Sequence, residues 1–181
     1  MAHDRSTALH PSSLKAILEF AGFGLCHGLW TVHDGEDLPP VILVESDAGR
    51  AVTRFPSASS ADSLTLARGN ASSLSAAMLR TAALYDGMIR RANEELDAIV
   101  IELFQRGVTD PITLVQAYRP AHDGAGFRIL GRPRVVEPRH DLVGARTAGF
   151  VDRGIAQHPA AEDLWARYWS PDPAEDLRES A

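Results

Sequence analysis

One cysteine and one lysine stand among 181 residues, and each scarcity narrows the reading. Cys26 alone can form neither an intrachain disulfide nor a multi-cysteine zinc site, which excludes a disulfide-stapled scaffold. It fits a reducing compartment, with the cytoplasm as the default. Lys15 leaves 17 of the 18 basic residues as arginine, a bias that reads as the background of a GC-rich coding sequence before it reads as function. No stretch approaches the roughly 18 consecutive apolar residues of a membrane span, and a pure run such as Val41–Val44 has the length of a core strand. No positive segment followed by an apolar one opens the chain, so no secretory signal is expected. A formal charge of -6 argues against binding nucleic acid through the whole surface, because phosphate recognition needs positive potential. Also missing are a G-x-S-x-G elbow, a G-x-G-x-x-G after a strand and a P-loop. These absences count against the common hydrolase, dinucleotide and nucleoside-triphosphate mechanisms.

What is there is an ordinary globular composition, 45% hydrophobic and 23% charged, enough for a core and for one domain. Residues 1–10 and the acidic, proline-bearing segment 170–181 read as loose tails flanking a domain over 11–169. A helix is expected from Pro11, with Leu14, Ile17, Leu18 and Ala21 on one stripe, stopped by Gly22 and Gly24. After it, Leu25–His33 is expected as a strand, Asp34-Gly35 as a turn, and Val41–Glu45 and Arg50–Phe55 as strands around Ser46-Asp47-Ala48-Gly49, making a three-stranded meander. The Ser- and Ala-rich segment 56–80 is expected to hold at least one helix, with Leu74, Ala77 and Met78 on one face and Gly69-Asn70 as a break.

The stretch Leu96–Phe104 fits both a helical stripe and a strand. EDLPPVILVE from Glu36 aligns without gaps on EELDAIVIEL from Glu94, and each is followed by another strand candidate, which favours the strand. Two meanders, about 25–55 and 82–119, are the expectation, whether by internal duplication or by shared composition alone. A helix through Met88 and Ala92 competes with a strand at 82–89. His122-Asp123-Gly124 reads as a turn. Phe127–Val136 alternates, with Phe127, Ile129 and Val135 inward, Arg128, Arg132 and Arg134 outward, and Pro133 marking a sheet edge. A broken helical pattern covers 141–157, and a last helix carries Leu164, Trp165, Tyr168 and Trp169 up to Ser170-Pro171. The class is α+β: a largely antiparallel sheet of six or seven strands with helices packed on one face.

Residues able to carry chemistry are few. Cys26, His27, His33 and Asp34 have the donor types for zinc, but on a strand His27 and His33 would stand roughly 20 Å apart. Four His-Asp dipeptides, at His3, His33, His122 and His140, fall in a tail or at turns, where Asp bonds the nearby backbone. The stripe Arg128, Arg132 and Arg134, with Arg119 and Arg139 near it, can receive an acidic partner segment or a phosphate; a solvated, aggregation-resisting edge is its plainer explanation. Trp165 and Trp169 at helical spacing would offer an aromatic contact for a dimer or pack on the sheet.

The chain therefore reads as a soluble binding or protein-interaction domain, a cytoplasmic homodimer using an exposed sheet edge or the arginine stripe to engage an acidic protein partner. No catalytic residue, metal or cofactor is assigned. The alternative is a small-molecule or anion-binding protein, or an enzyme, with a pocket between sheet and helix formed by His27, His33 and Tyr85. Convergence of those side chains in a concavity would favour the alternative; scatter would favour the interaction module.

Overall fold

The computed structural model describes residues 11–55, 60–91, 94–105, 111–121, 126–136 and 145–171. Along them run α1 (Pro11–Val32), β1 (Val41–Ser46), β2 (Gly49–Arg54), α2 (Ser60–Ser72), β3 (Met78–Arg91), β4 (Glu94–Gln105), β5 (Ile112–Arg119), β6 (Arg128–Leu130), β7 (Arg134–Val136), α3 (Ala145–Ile155), α4 (Ala161–Tyr168) and β8 (Trp169–Ser170). The expectations for 1–10, for the acidic tail beyond Pro171, and for His122-Asp123-Gly124, Ala92, Arg139 and His140-Asp141 lie outside the described residues.

The eight strands form one sheet in the order β2-β1-β3-β4-β5-β6-β8, with β7 also pairing β5. All pairings are antiparallel except that of β6 with β8. β3 and β4 are the longest strands, and their ladder runs without a slip from Arg80↔Gln105 to Arg91↔Glu94. The β-branched run Ile99-Val100-Ile101 belongs in that ladder, which decides for strand in a stretch whose periodicity left helix open. The segment 82–89 is strand as well. Alternation then divides the sheet: Leu43, Leu84, Ile99, Ile101, Leu103, Ile112 and Leu114 face one large core, while Ile42, Ala83 and Phe104 face a smaller one. The fold is α+β, and the large core is covered by α1, α3 and α4, whose Leu25, Leu29, Val151, Ile155 and Leu164 fill it. α2 lies against the smaller core through Ala67 and Ala71.

The expected strand Leu25–His33 is instead the second half of α1, so the first unit is a helix followed by the hairpin β1–β2, not a three-stranded meander. Gly22 and Gly24 do not stop the helix; they are where its neighbours touch it. A Cβ on Gly22 would lie inside the contact shell of the Val151 carbonyl oxygen of α3, and one on Gly24 or Gly28 would run into Ile101 or Ile99 of β4. Glycine inside a helix costs about 1 kcal/mol relative to alanine, and close approach on two opposite sides outweighs that cost. The helix is buried nearly all round, with only Lys15 and Trp30 exposed along its described length. It ends at Asp34-Gly35, where Gly35 takes φ 90° and donates its N–H to the Val32 carbonyl at 3.1 Å.

Two further expectations change. α2 passes through Gly69-Asn70 without a break, because Asn70 Nδ2 donates to the Leu66 carbonyl at 2.8 Å and the Ser72 and Ser73 hydroxyls both donate to that of Gly69 at 2.9 Å. Leu74 and Ala77 lie beyond it, and Met78 opens β3 rather than extending a helical face. At the other end, Trp169 leaves α4 with extended backbone (φ -68°, ψ 135°) and pairs with Ile129, so it is not a helical neighbour of Trp165.

Candidate functional site

The most open element of the sheet is β2. Its one neighbour is β1, and five of its six residues are exposed, with Arg50 half-buried. A two-residue turn, Asp47-Ala48, makes the hairpin: the Ala48 N–H donates to Ser46 Oγ at 3.2 Å, and Gly49 sits at φ 115°, a conformation other residues avoid. The register decides which backbone groups of β2 are free. Phe55 donates its N–H to the Pro40 carbonyl at 2.9 Å. Bonded pairs alternate in an antiparallel ladder, so Thr53, Ala51 and Gly49 direct their N–H and C=O toward β1. Arg50, Val52 and Arg54 direct theirs outward. Because Val52 stands opposite Leu43, the side chains of these three residues also lie on the face that carries α1.

That face is built above the edge by α1 and the α3–α4 turn. The Arg50 guanidinium stacks over the Phe23 ring, 4.6 Å from its centroid, donates to Gln157 Oε1 at 2.8 Å and pairs with Glu45 at 2.9 Å. Glu45 is also bonded by Arg80. On this face β1 and β2 thus carry Arg50 and Arg54 against one carboxylate, and that carboxylate is shared with a third arginine. Arg54 has no ion-pair partner among the described residues, and its charge acts on His27.

His27 belongs to a neutral imidazole pair. Its Nδ1 is 3.4 Å from His158 Nε2, and His158 Nδ1 accepts the Ala160 N–H at 3.2 Å. Burial lowers both pKa values, that of His158 to about 4; the charge of Arg54 further lowers that of His27, and His27 itself further lowers that of His158. With both rings neutral, an acceptor at His158 Nδ1 puts its hydrogen on Nε2, which donates to His27 Nδ1. The hydrogen of His27 is then on Nε2. Phe23 and Trp30 flank the pair, with ring centroids 5.1 Å and 6.1 Å from that of His158.

The residues singled out by sequence do not converge. His33 lies six residues beyond His27, just past the end of α1, with its Nδ1 2.6 Å from the Trp30 carbonyl oxygen and its ring beside Tyr168 and Phe127. Cys26 points into the core, and burial pushes its thiol up to about 12, so it stays protonated and unreactive. Tyr85 is on the other face of the sheet. There its hydroxyl donates to Glu102 Oε1 at 2.8 Å and accepts from Arg68, which grips the same carboxylate from α2. Burial, then the bond to Glu102, raises the Tyr85 pKa to about 12. Among the described residues no group of three or more His, Cys, Asp or Glu is placed to hold a metal ion.

Arg128 and Arg134 project from the face of β6 and β7 opposite the large core, and Arg132 is exposed at the kink between those strands. Gly131 supplies the kink with φ 59°, while Gln116 Nε2 and Trp169 Nε1 bond its carbonyl at 3.4 Å and 3.3 Å. This edge is short and partly closed by β8. Trp165 lines a cavity of about 560 Å³ with Asp152, Gln157, His158, Pro159 and Glu162, between α3 and α4 and not between helix and sheet. Sequence reasoning missed Arg50, Arg54, Phe23, Trp30 and His158. Only the alternation of the β1–β2 hairpin hinted at the first two, and nothing local hinted at His158, which arrives from 131 residues along the chain.

Comparison with known protein families, curated proteins and solved structures finds no match to this chain.

Proposed function

We propose that this chain is a protein-interaction module that docks its partner along the open edge of the sheet at β2. The observation that supports this most directly is the edge itself: six residues in regular register, five of them exposed, with no proline or bulge and with no covering element among the described residues. Such edges are normally blunted, because free N–H and C=O groups recruit another strand, and strand addition is an established mode of peptide recognition. The scatter of His27, His33 and Tyr85 over two faces and of the arginine stripe over an outward surface weighs the same way. A cytoplasmic setting goes with this reading, since Cys26 is free and buried. The partner is an acidic protein segment, with self-association the companion expectation.

Placing a photo-crosslinking side chain at Val52, and separately at Arg128, in the native host tests the location. A discrete adduct at position 52 and none at 128 is expected. An adduct at 128 alone would return the function to the arginine stripe and end this reading.

A small-molecule or anion-binding role is the second reading, and the cavity beside His158 and Trp165 is the observation that favours it. Its volume lies in the range of ligand pockets, and an indole, an imidazole and two carboxylates border it. Native mass spectrometry of gently purified protein separates the two: a retained small-molecule mass supports the cavity, a heteromeric complex supports the edge.

A further inference from the structure

We propose that the occupant of β2 is an extended acidic strand, with carboxylates at its first and fifth positions and an apolar residue at the third, bound by extension of the sheet. This rests on β2 being the docking edge. Two independent properties coincide on the same three residues. Arg50, Val52 and Arg54 have outward N–H and C=O groups, set by the 40–55 hydrogen bond and the hairpin register. They also carry, on the face that bears α1, the pattern cation, apolar, cation.

An incoming antiparallel strand repeats its side chains on one face every second residue, so a strand that satisfies the outward groups of these three residues sets its own alternate side chains beside Arg50, Val52 and Arg54. Carboxylates there meet guanidinium groups, and an apolar residue meets Val52, which is 39% exposed. The other face of β2 offers Gly49, Ala51 and Thr53, small enough to leave the intervening partner residues unrestricted.

Charge also argues against another occupant. A second copy pairing through its own β2, centred on Val52, would set Arg50 opposite Arg54 twice, like charge against like charge. The cations Arg50 and Arg54 on either side of Val52 select a separate acidic segment by charge complementarity.

The probe is a fluorescein-labelled heptapeptide, Thr-Glu-Thr-Val-Thr-Glu-Thr with blocked ends, titrated with the full chain and read by fluorescence polarisation. Binding is expected that weakens as salt rises, that falls about tenfold or more with Arg54→Glu, and that vanishes when both glutamates are replaced by lysine. Methylating the valine nitrogen, an amide aimed at β2, should abolish binding. Methylating the nitrogen of the threonine just before it, an amide aimed away, should leave binding within about twofold. Equal loss from the two methylations would mean charge attraction without strand addition and would overturn the inference. So would tighter binding of the lysine peptide, or a concentration-dependent dimer by sedimentation that Val52→Glu dissolves. If the acidic peptide does not bind while the position-52 adduct persists, the occupant is wrong and the docking edge stands. If both fail, the reading of β2 fails.

Discussion

His158 shows at the scale of one side chain how burial turns a titrating group into a stability switch. Its pKa falls from 6.5 to about 4 on folding, chiefly through desolvation and then through His27. The pKa of His27 is lowered too. A histidine depressed in the folded state favours unfolding when protonated, so the stability is complete above about pH 6.5 and is lost as pH falls toward the folded value. By pH 5 the His158 share is on the order of 2 kcal/mol. Thermal melts at pH 7 and pH 5 should show a larger drop in Tm for the natural protein than for His158→Asn, which keeps an acceptor for the Ala160 N–H and does not titrate. Equal drops would mean that the imidazole pair is not coupled to folding. The pairing was not legible beforehand: His27 was visible as a residue of interest, but its partner lies on the α3–α4 turn, 131 residues along the chain, and a strand reading of 25–33 grouped it with His33 and Tyr85 instead.

Glycine carries the argument at the scale of the element. In α1 and α3 the contact is made by Gly22 and Gly154: a Cβ on the first would meet the Val151 carbonyl oxygen, and one on the second would meet that of Glu19. Backbone cannot yield as a side chain can, so Gly22→Ala and Gly154→Ala should each destabilise by about 3 kcal/mol or more, or prevent folding. Arg153, whose Nε donates to Glu19 Oε1 at 2.9 Å, ties the same crossing from its rim. Gly69 in α2 has open space around its Cβ position and no left-handed φ. There Gly69→Ala should stabilise by about 0.5–1 kcal/mol in urea titration, because it lowers the entropy of the unfolded chain. The sequence marks Gly22 and Gly69 alike as helix breakers, and Gly154 falls in a stretch it reads as a broken helix. What separates them is the distance to the next element, which no local window contains.

For the whole molecule, the decisive feature is that β3, reached through α2, is laid between β1 and β4, so that the hairpin β1–β2 ends at one side of the sheet and β2 becomes an edge. Hydrogen exchange reads this directly. Amides of β4, bonded on both sides within the sheet's centre, should exchange slowest, near the global unfolding limit. Within β2 the rates should alternate, with Ala51 and Thr53 protected and Arg50, Val52 and Arg54 fast. Uniform protection along β2 would mean that the edge is covered and would remove the basis of the docking proposal. No helix among the described residues is long and apolar enough to cross a membrane, in keeping with the absence of any long apolar run.

By itself the sequence determined the α+β class, the β1–β2 hairpin with its Gly49 turn, the strands around Ile99 and Ile129, and the outward direction of Arg128 and Arg134. The hairpin and the Ile129 strand depend on the alternation of neighbouring side chains or on the backbone freedom of one residue, which are local properties, and the Ile99 strand was favoured by its β-branched run and its likeness to the segment from Glu36. Only the tertiary structure decided that Leu25–His33 is helix apart from its last residue, that Tyr85 and His27 are on opposite faces, that His27 meets His158, and that the longer open edge is β2. The physical reason is common to all four. A helix buried on every side loses the amphipathic period by which helices are recognised, and whether a strand is an edge depends on which distant segment pairs beside it.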